Sequence, residues 1–130
     1  MKRDPNLIRE ILLLVEGTAS LKKPLFSKTI QIEGYTEEQI SDHIAMMIDG
    51  NLLKASDWST FTQKKLHQRN WKITDLSYCG HDLLDNIRDM NTWNSVLVEL
   101  KNNSSQASID EIKALAASFV QQLLPFPPMG

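Results

Sequence analysis

A single cysteine, Cys79, is all this chain holds, so no disulfide can form within it and a reducing compartment such as the cytoplasm is the expected home. Long apolar runs are also missing. The longest, Ile11 to Val15, falls far short of the ~20 residues that cross a bilayer, so no membrane helix is expected. The opening MKRDPNLIRE passes from two cations into an acid and a proline, without the apolar core or small-residue cleavage site of a secretory signal. Glycine and proline number five each, and 42% hydrophobic with 23% charged residues excludes a disordered chain. At 130 residues there is room for one folded domain with a real core, and none for a second of full size.

What is present has helical spacing at both ends and a β pattern between. Asp4 before Pro5 marks a helix start, Leu7, Ile8, Ile11, Leu12, Leu14 and Val15 form its buried stripe, and Gly17 is the expected terminator. TASLKKPLFSK then reads as a loop and TIQIEG as a short strand. Thr36 and Gln39 make a capping box that opens a second helix. Its Ile40, Ile44, Met47 and Ile48 face inward, while Glu37, Glu38, Ser41, Asp42, Ala45 and Asp49 face out, and Gly50 and Asn51 end it. Leu52 to Ala55 and Lys72 to Leu76 are expected to pair as antiparallel strands around an irregular tip of about 15 residues. Two helical stripes follow, with a break near Met90–Asn91, then the polar turn NNSSQAS. Ser108 with Glu111 caps a last helix that ends at Pro125.

Helix, strand, basic hairpin tip, strand and helix in that order is how a winged helix is written. The segment LSYCGHDLLDNIRDMNTWN, with the MKRDPNLIREILL start, resembles a family of small phage and bacterial proteins defined as a domain of unknown function, whose pattern is close to LTxxGHxFLDxIRDxxxW. Leu76, Gly80, His81, Leu84, Asp85, Ile87, Arg88, Asp89 and Trp93 match it, while Ser77 stands for Thr and Leu83 for Phe. The resemblance covers about residues 1–100 and implies a winged-helix character; it carries no activity with it.

Charge singles out one window. Net charge is −2, yet Trp58 to Lys72 holds four cations and no acid. Lys64, Lys65, His67, Arg69 and Lys72, interleaved with Trp58, Phe61 and Trp71, are what a phosphate backbone requires: mobile cations with aromatics to anchor the loop. The alternative is a solvated hairpin tip. The Thr36 helix would occupy a recognition helix's place, but Glu37, Glu38, Asp42 and Asp49 oppose approach to DNA, leaving His43 and Gln39 as base readers. Its acidic side could instead meet a protein partner through Glu38, Asp42 and His43.

Cys79, His81 and Asp82 lack the spacing of a metal site and the third group of a nucleophile, so a local structural role at the strand-to-helix junction is the simpler reading. Asp85, Arg88 and Asp89 read as a helical ion-pair cluster, and Trp93 as core or a subunit anchor. The expected fold is α+β and helix-rich: a winged helix-turn-helix-like domain over residues 1–101, with residues 102–130 forming a C-terminal helix and proline-rich tail that packs on it or forms a homodimer. The expected role is non-enzymatic, without cofactor or metal: a phage or mobile-element regulator on double-stranded DNA, or else a module that binds a host protein through its acidic helix.

Overall fold

The first helix, α1 (Pro5–Thr18), starts where Asp4 places a carboxylate over the free first-turn N–H groups, accepting from Asn6 at 2.9 Å and Leu7 at 3.4 Å. In this computed structural model, which describes residues 2–59, 69–102 and 108–123 with side chains to Ser118 in the last helix, α1 continues through Gly17. It ends on Ala19 in an extended conformation, so the expected glycine stop is not used. Leu7, Ile8, Ile11, Leu12 and Val15 are fully buried against the next helix, the sheet and a third helix.

The first strand lies where the sequence suggested a loop. β1 (Leu25–Phe26) is followed by a 3₁₀ turn (Ser27–Thr29), and the expected strand over TIQIEG does not form. The turn redirects the chain, so that Ile30 enters the core and Ile32 packs at its margin, rather than both pairing with a neighbouring strand. Helix α2 (Glu37–Asp49) opens with the expected capping box. Gln39 N–H donates to Thr36 Oγ1 at 3.1 Å, and Thr36 N–H donates to Gln39 Oε1 at 2.9 Å. Asn51, at φ 59°, takes the left-handed conformation that turns the chain out of α2.

β2 (Leu53–Asp57) and β3 (Trp71–Leu76) pair antiparallel, with Leu53 opposite Leu76 and Asp57 opposite Trp71, and an irregularity between Lys54 and Ala55. β1 pairs with the other side of β3, giving a three-stranded sheet in the order β1-β3-β2. The paired β2 and β3 form an arm whose tip, residues 60–68, lies outside the described residues.

Helix α3 (Tyr78–Ile87) begins on Ser77, whose Oγ accepts from Gly80 N–H at 3.0 Å. The expected break falls at Arg88–Asp89. There Asp89 caps α4 (Met90–Asn102) by accepting from Thr92 N–H at 3.0 Å. α5 (Ile109–Leu123) opens on Ser108 and lies on α3 and α4, with Ile112 and Ala116 buried in the same core. The fold is α+β and rich in helix, and no helix of the described residues is long and apolar enough to cross a membrane.

Two turns meet at the root of the arm. Leu52 carbonyl accepts from Ser77 N–H at 2.9 Å, Ser77 Oγ–H donates to Asn51 carbonyl, and Gly80 lies directly against the Leu52 carbonyl oxygen. A Cβ at Gly80 would overlap that oxygen and lie 3.1 Å from its carbon and 3.3 Å from Leu76 Cβ. Backbone on one side and a packed leucine on the other cannot give way. Gly80→Ala therefore destabilises by about 2–3 kcal/mol, against the gain of up to about 1 kcal/mol that helix propensity alone would bring. Urea unfolding measures it, and a loss below about 0.5 kcal/mol would contradict the packing.

Candidate functional site

Residues opposite one another in a sheet share a face, and the register divides the arm into two unlike surfaces. Phe26, Lys72 and Ser56 are direct neighbours across the three strands, and Trp58 lies two residues beyond Ser56 on the same side. Phe26 and Trp58 meet edge to face, ring centres 5.7 Å apart. The Lys72 ammonium sits 4.8 Å from the centre of the Trp58 ring, which is 57% exposed. Lys28 is exposed in the 3₁₀ turn alongside, where its backbone N–H donates to Asn70 Oδ1 at 3.3 Å. This outer face combines the Lys72 cation with an aromatic platform.

The inner face, toward α2, is different. Asp57 stands opposite Trp71, and Arg69 Nη1 donates to Asp57 Oδ2 at 3.0 Å. Hydrogen bonds from Ser59, and after them the Arg69 charge, hold the Asp57 carboxyl below its ordinary range. Arg69 thus spends its charge on a neighbouring carboxylate, and its guanidinium carbon lies 6.0 Å from the Trp71 ring centre. Across a groove from Trp71, α2 presents Asp42 and Asp49.

Of the cations expected to contact phosphate, Lys72 is on the outer face and Arg69 is turned inward onto Asp57; Lys64, Lys65 and His67 lie outside the described residues. Of the expected partner-binding residues, Glu38 is exposed, Asp42 is half-buried on the groove and His43 is not at the surface. His43 is 1% exposed, with Nε2 accepting from Asp4 N–H at 2.9 Å and Nδ1 lying 2.8 Å from Gln39 carbonyl. Its ring is a tie between α1 and α2, with both nitrogens engaged, and cannot read a base edge. Ser41 is buried as well.

The segment from Leu76 to Trp93 builds structure. Besides Gly80, His81 Nε2 lies 3.2 Å from Asp75 Oδ1, and Leu84 and Ile87 are core. Arg88 joins Asp85 at 3.4 Å and forms a two-pronged pair with Glu16 of α1, while Asp89 caps α4. Trp93 is buried, and its indole N–H donates to Asn6 Oδ1 at 2.9 Å. Arg9 makes a tie that the sequence reading missed. A cation inside the apolar stripe of α1, it is buried, and its guanidinium donates to the Ile87 and Arg88 carbonyls at 2.9 and 2.7 Å, closing the end of α3. Its place between Ile8 and Ile11 was the available signal. Cys79 is half-buried, and among the described residues no group of three or more His, Cys, Asp or Glu could hold a metal ion.

The profile of the family described as Hypothetical protein (DUF2513) matches residues 2–106, which takes in the arm and the whole of this scaffold. The chain belongs to that family. An uncharacterised protein of Haemophilus influenzae is 33% identical over 124 residues, covering 95% of this chain and 99% of the relative. No solved structure matches the chain. The residues from Gly80 to Trp93 lie within the matched range and make contacts that join α1, α3 and α4.

Arg88, through its hydrogen bonds first, holds the Glu16 carboxyl below its ordinary value of 4.5. A carboxyl depressed in the folded state stabilises above its unfolded value, and that contribution fades as pH falls through the lower folded one. Glu16→Gln thus costs up to about 1 kcal/mol at pH 7, as a surface pair does, and nothing once the carboxyl of the parent protein is protonated. Denaturation of both proteins at neutral and acid pH reads the difference; an equal cost at both would contradict the ion pair.

Proposed function

We propose that this protein is a non-enzymatic, DNA-associated regulator of winged-helix type that meets the phosphates of a duplex with the outer face of its β2–β3 arm. The observation that carries this reading is the segregation of charge across the arm. Lys72 stands on an aromatic platform on one side, while Asp57, Asp42 and Asp49 lie on the other. Strand order β1-β3-β2, with α2 entering β2 and the arm extending between β2 and β3, is the arrangement a winged helix would have.

Phosphate contacts displace condensed counterions, so they supply affinity without reading sequence. The acidic first turn of α2 repels a duplex, and His43 is occupied inside the protein, so α2 stands back while the arm leads. Lys64 and Lys65 extend the same basic window beyond Trp58. Affinity should therefore be modest, steep in salt and nearly independent of sequence.

Replacing Lys64, Lys65 and Lys72 together with Ala should lower the salt slope of duplex binding by roughly 2.7, about 0.9 for each phosphate that is no longer neutralised. Fluorescence anisotropy of a labelled duplex across a salt series measures it, with Asp42→Ala as a control that keeps full affinity. An unmodified protein that binds no duplex at low salt would remove this reading.

A further inference from the structure

The inner face of the arm and α2 enclose a groove of about 650 Å³. Asp42, Ala45, Met46 and Asp49 recur at i, i+3, i+4 and i+7, so they lie on one side of the helix, two carboxylates with an apolar floor between them. Trp71 forms the opposite wall. Neither Asp42 nor Asp49 has an ion-pair partner within 4 Å among the described residues, although Arg3 and Lys113 border a hollow on the far side of Asp49. The one cation lining the groove among the described residues, Arg69, is already paired with Asp57.

We propose that this groove binds an extended segment of another protein in which a large apolar side chain is flanked by two Arg or Lys residues. Charge selects the flanks, because two carboxylates at the ends of an apolar floor attract cations and reject acidic peptides. Spacing selects the register. Seven residues of helix separate Asp42 from Asp49 by about 10.5 Å; in an extended chain residues i, i+2 and i+4 share a side over about 13 Å, and flexible cationic side chains at i and i+4 close the remaining difference. The apolar side chain at i+2 then lies between the cations, over Ala45 and Met46 and against Trp71. This site is on the opposite side of the arm from the surface assigned to DNA and does not depend on it.

The probes are nonapeptides Gly-Ser-Arg-Ala-X-Ala-Arg-Ser-Gly with Leu, Phe or Trp at X, titrated into nitrogen-15-labelled protein. The chain's three tryptophans give three indole N–H resonances, and Trp71→Phe identifies the one that belongs to the groove. At least one probe should move the Trp71 resonance to saturation. A peptide with both Arg replaced by Glu should leave it in place, and Asp42→Lys with Asp49→Lys should weaken binding at least about tenfold. The Lys64, Lys65, Lys72 alanine variant should bind the same probe as the parent does, which keeps this result separate from the DNA reading. A Trp71 resonance unmoved by all three probes at millimolar concentration, or equal binding by the charge-reversed variant, overturns the proposal.

Discussion

The close approach of Gly80 to the Leu52 carbonyl is the constraint on which the rest of the structure depends. It joins the turn leaving α2 to the turn leaving β3, and the Ser77 backbone and side-chain bonds lock the two together. With its root fixed there, the arm can leave the core in one direction only, and β1 completes the sheet against the free side of β3. Arg9, Glu16 and Asn6 then tie α1 to α3 and α4 with one buried cation, one surface ion pair and one indole hydrogen bond. Gly80, Arg88 and Trp93 are all used in this frame.

What the frame carries is an arm with two chemistries. Pleating sends alternate residues to opposite sides, so four cations close together in sequence need not act together in space. Lys72 goes outward to Trp58, and Arg69, an odd number of residues earlier, goes inward to Asp57. The consequence for association is direct. Outside, a cation over an exposed indole can exchange counterions with a phosphate; inside, a satisfied arginine leaves the acids of α2 to dominate the field.

Local signals were legible wherever one residue settles a backbone problem by itself. Asp4, Thr36 with Gln39, and Ser108 all cap helices, and the periodic apolar stripes of α1, α2 and α3 are the core. Tertiary decisions were not legible. TIQIEG has the β-branched alternation of a strand, yet Ile30 is worth more to the core than to a ladder, and LF pairs with β3 despite a proline beside it. His43 and Ser41 look like surface residues in a helical projection, and only tertiary packing, with the start of α1 over His43, shows that they are inside. Arg69 and Lys72 are near one another in the chain, but that proximity carries no information about which side of a strand a residue takes.

The measurement closest to the central claim is amide chemical-shift mapping of the labelled protein with a short duplex at low salt. Shifts concentrated at Phe26, Lys28, Trp58 and Lys72, with Asp42 to Asp49 unmoved, are what a two-faced arm requires. Shifts concentrated on α2 with the outer face silent, or none anywhere, would contradict it.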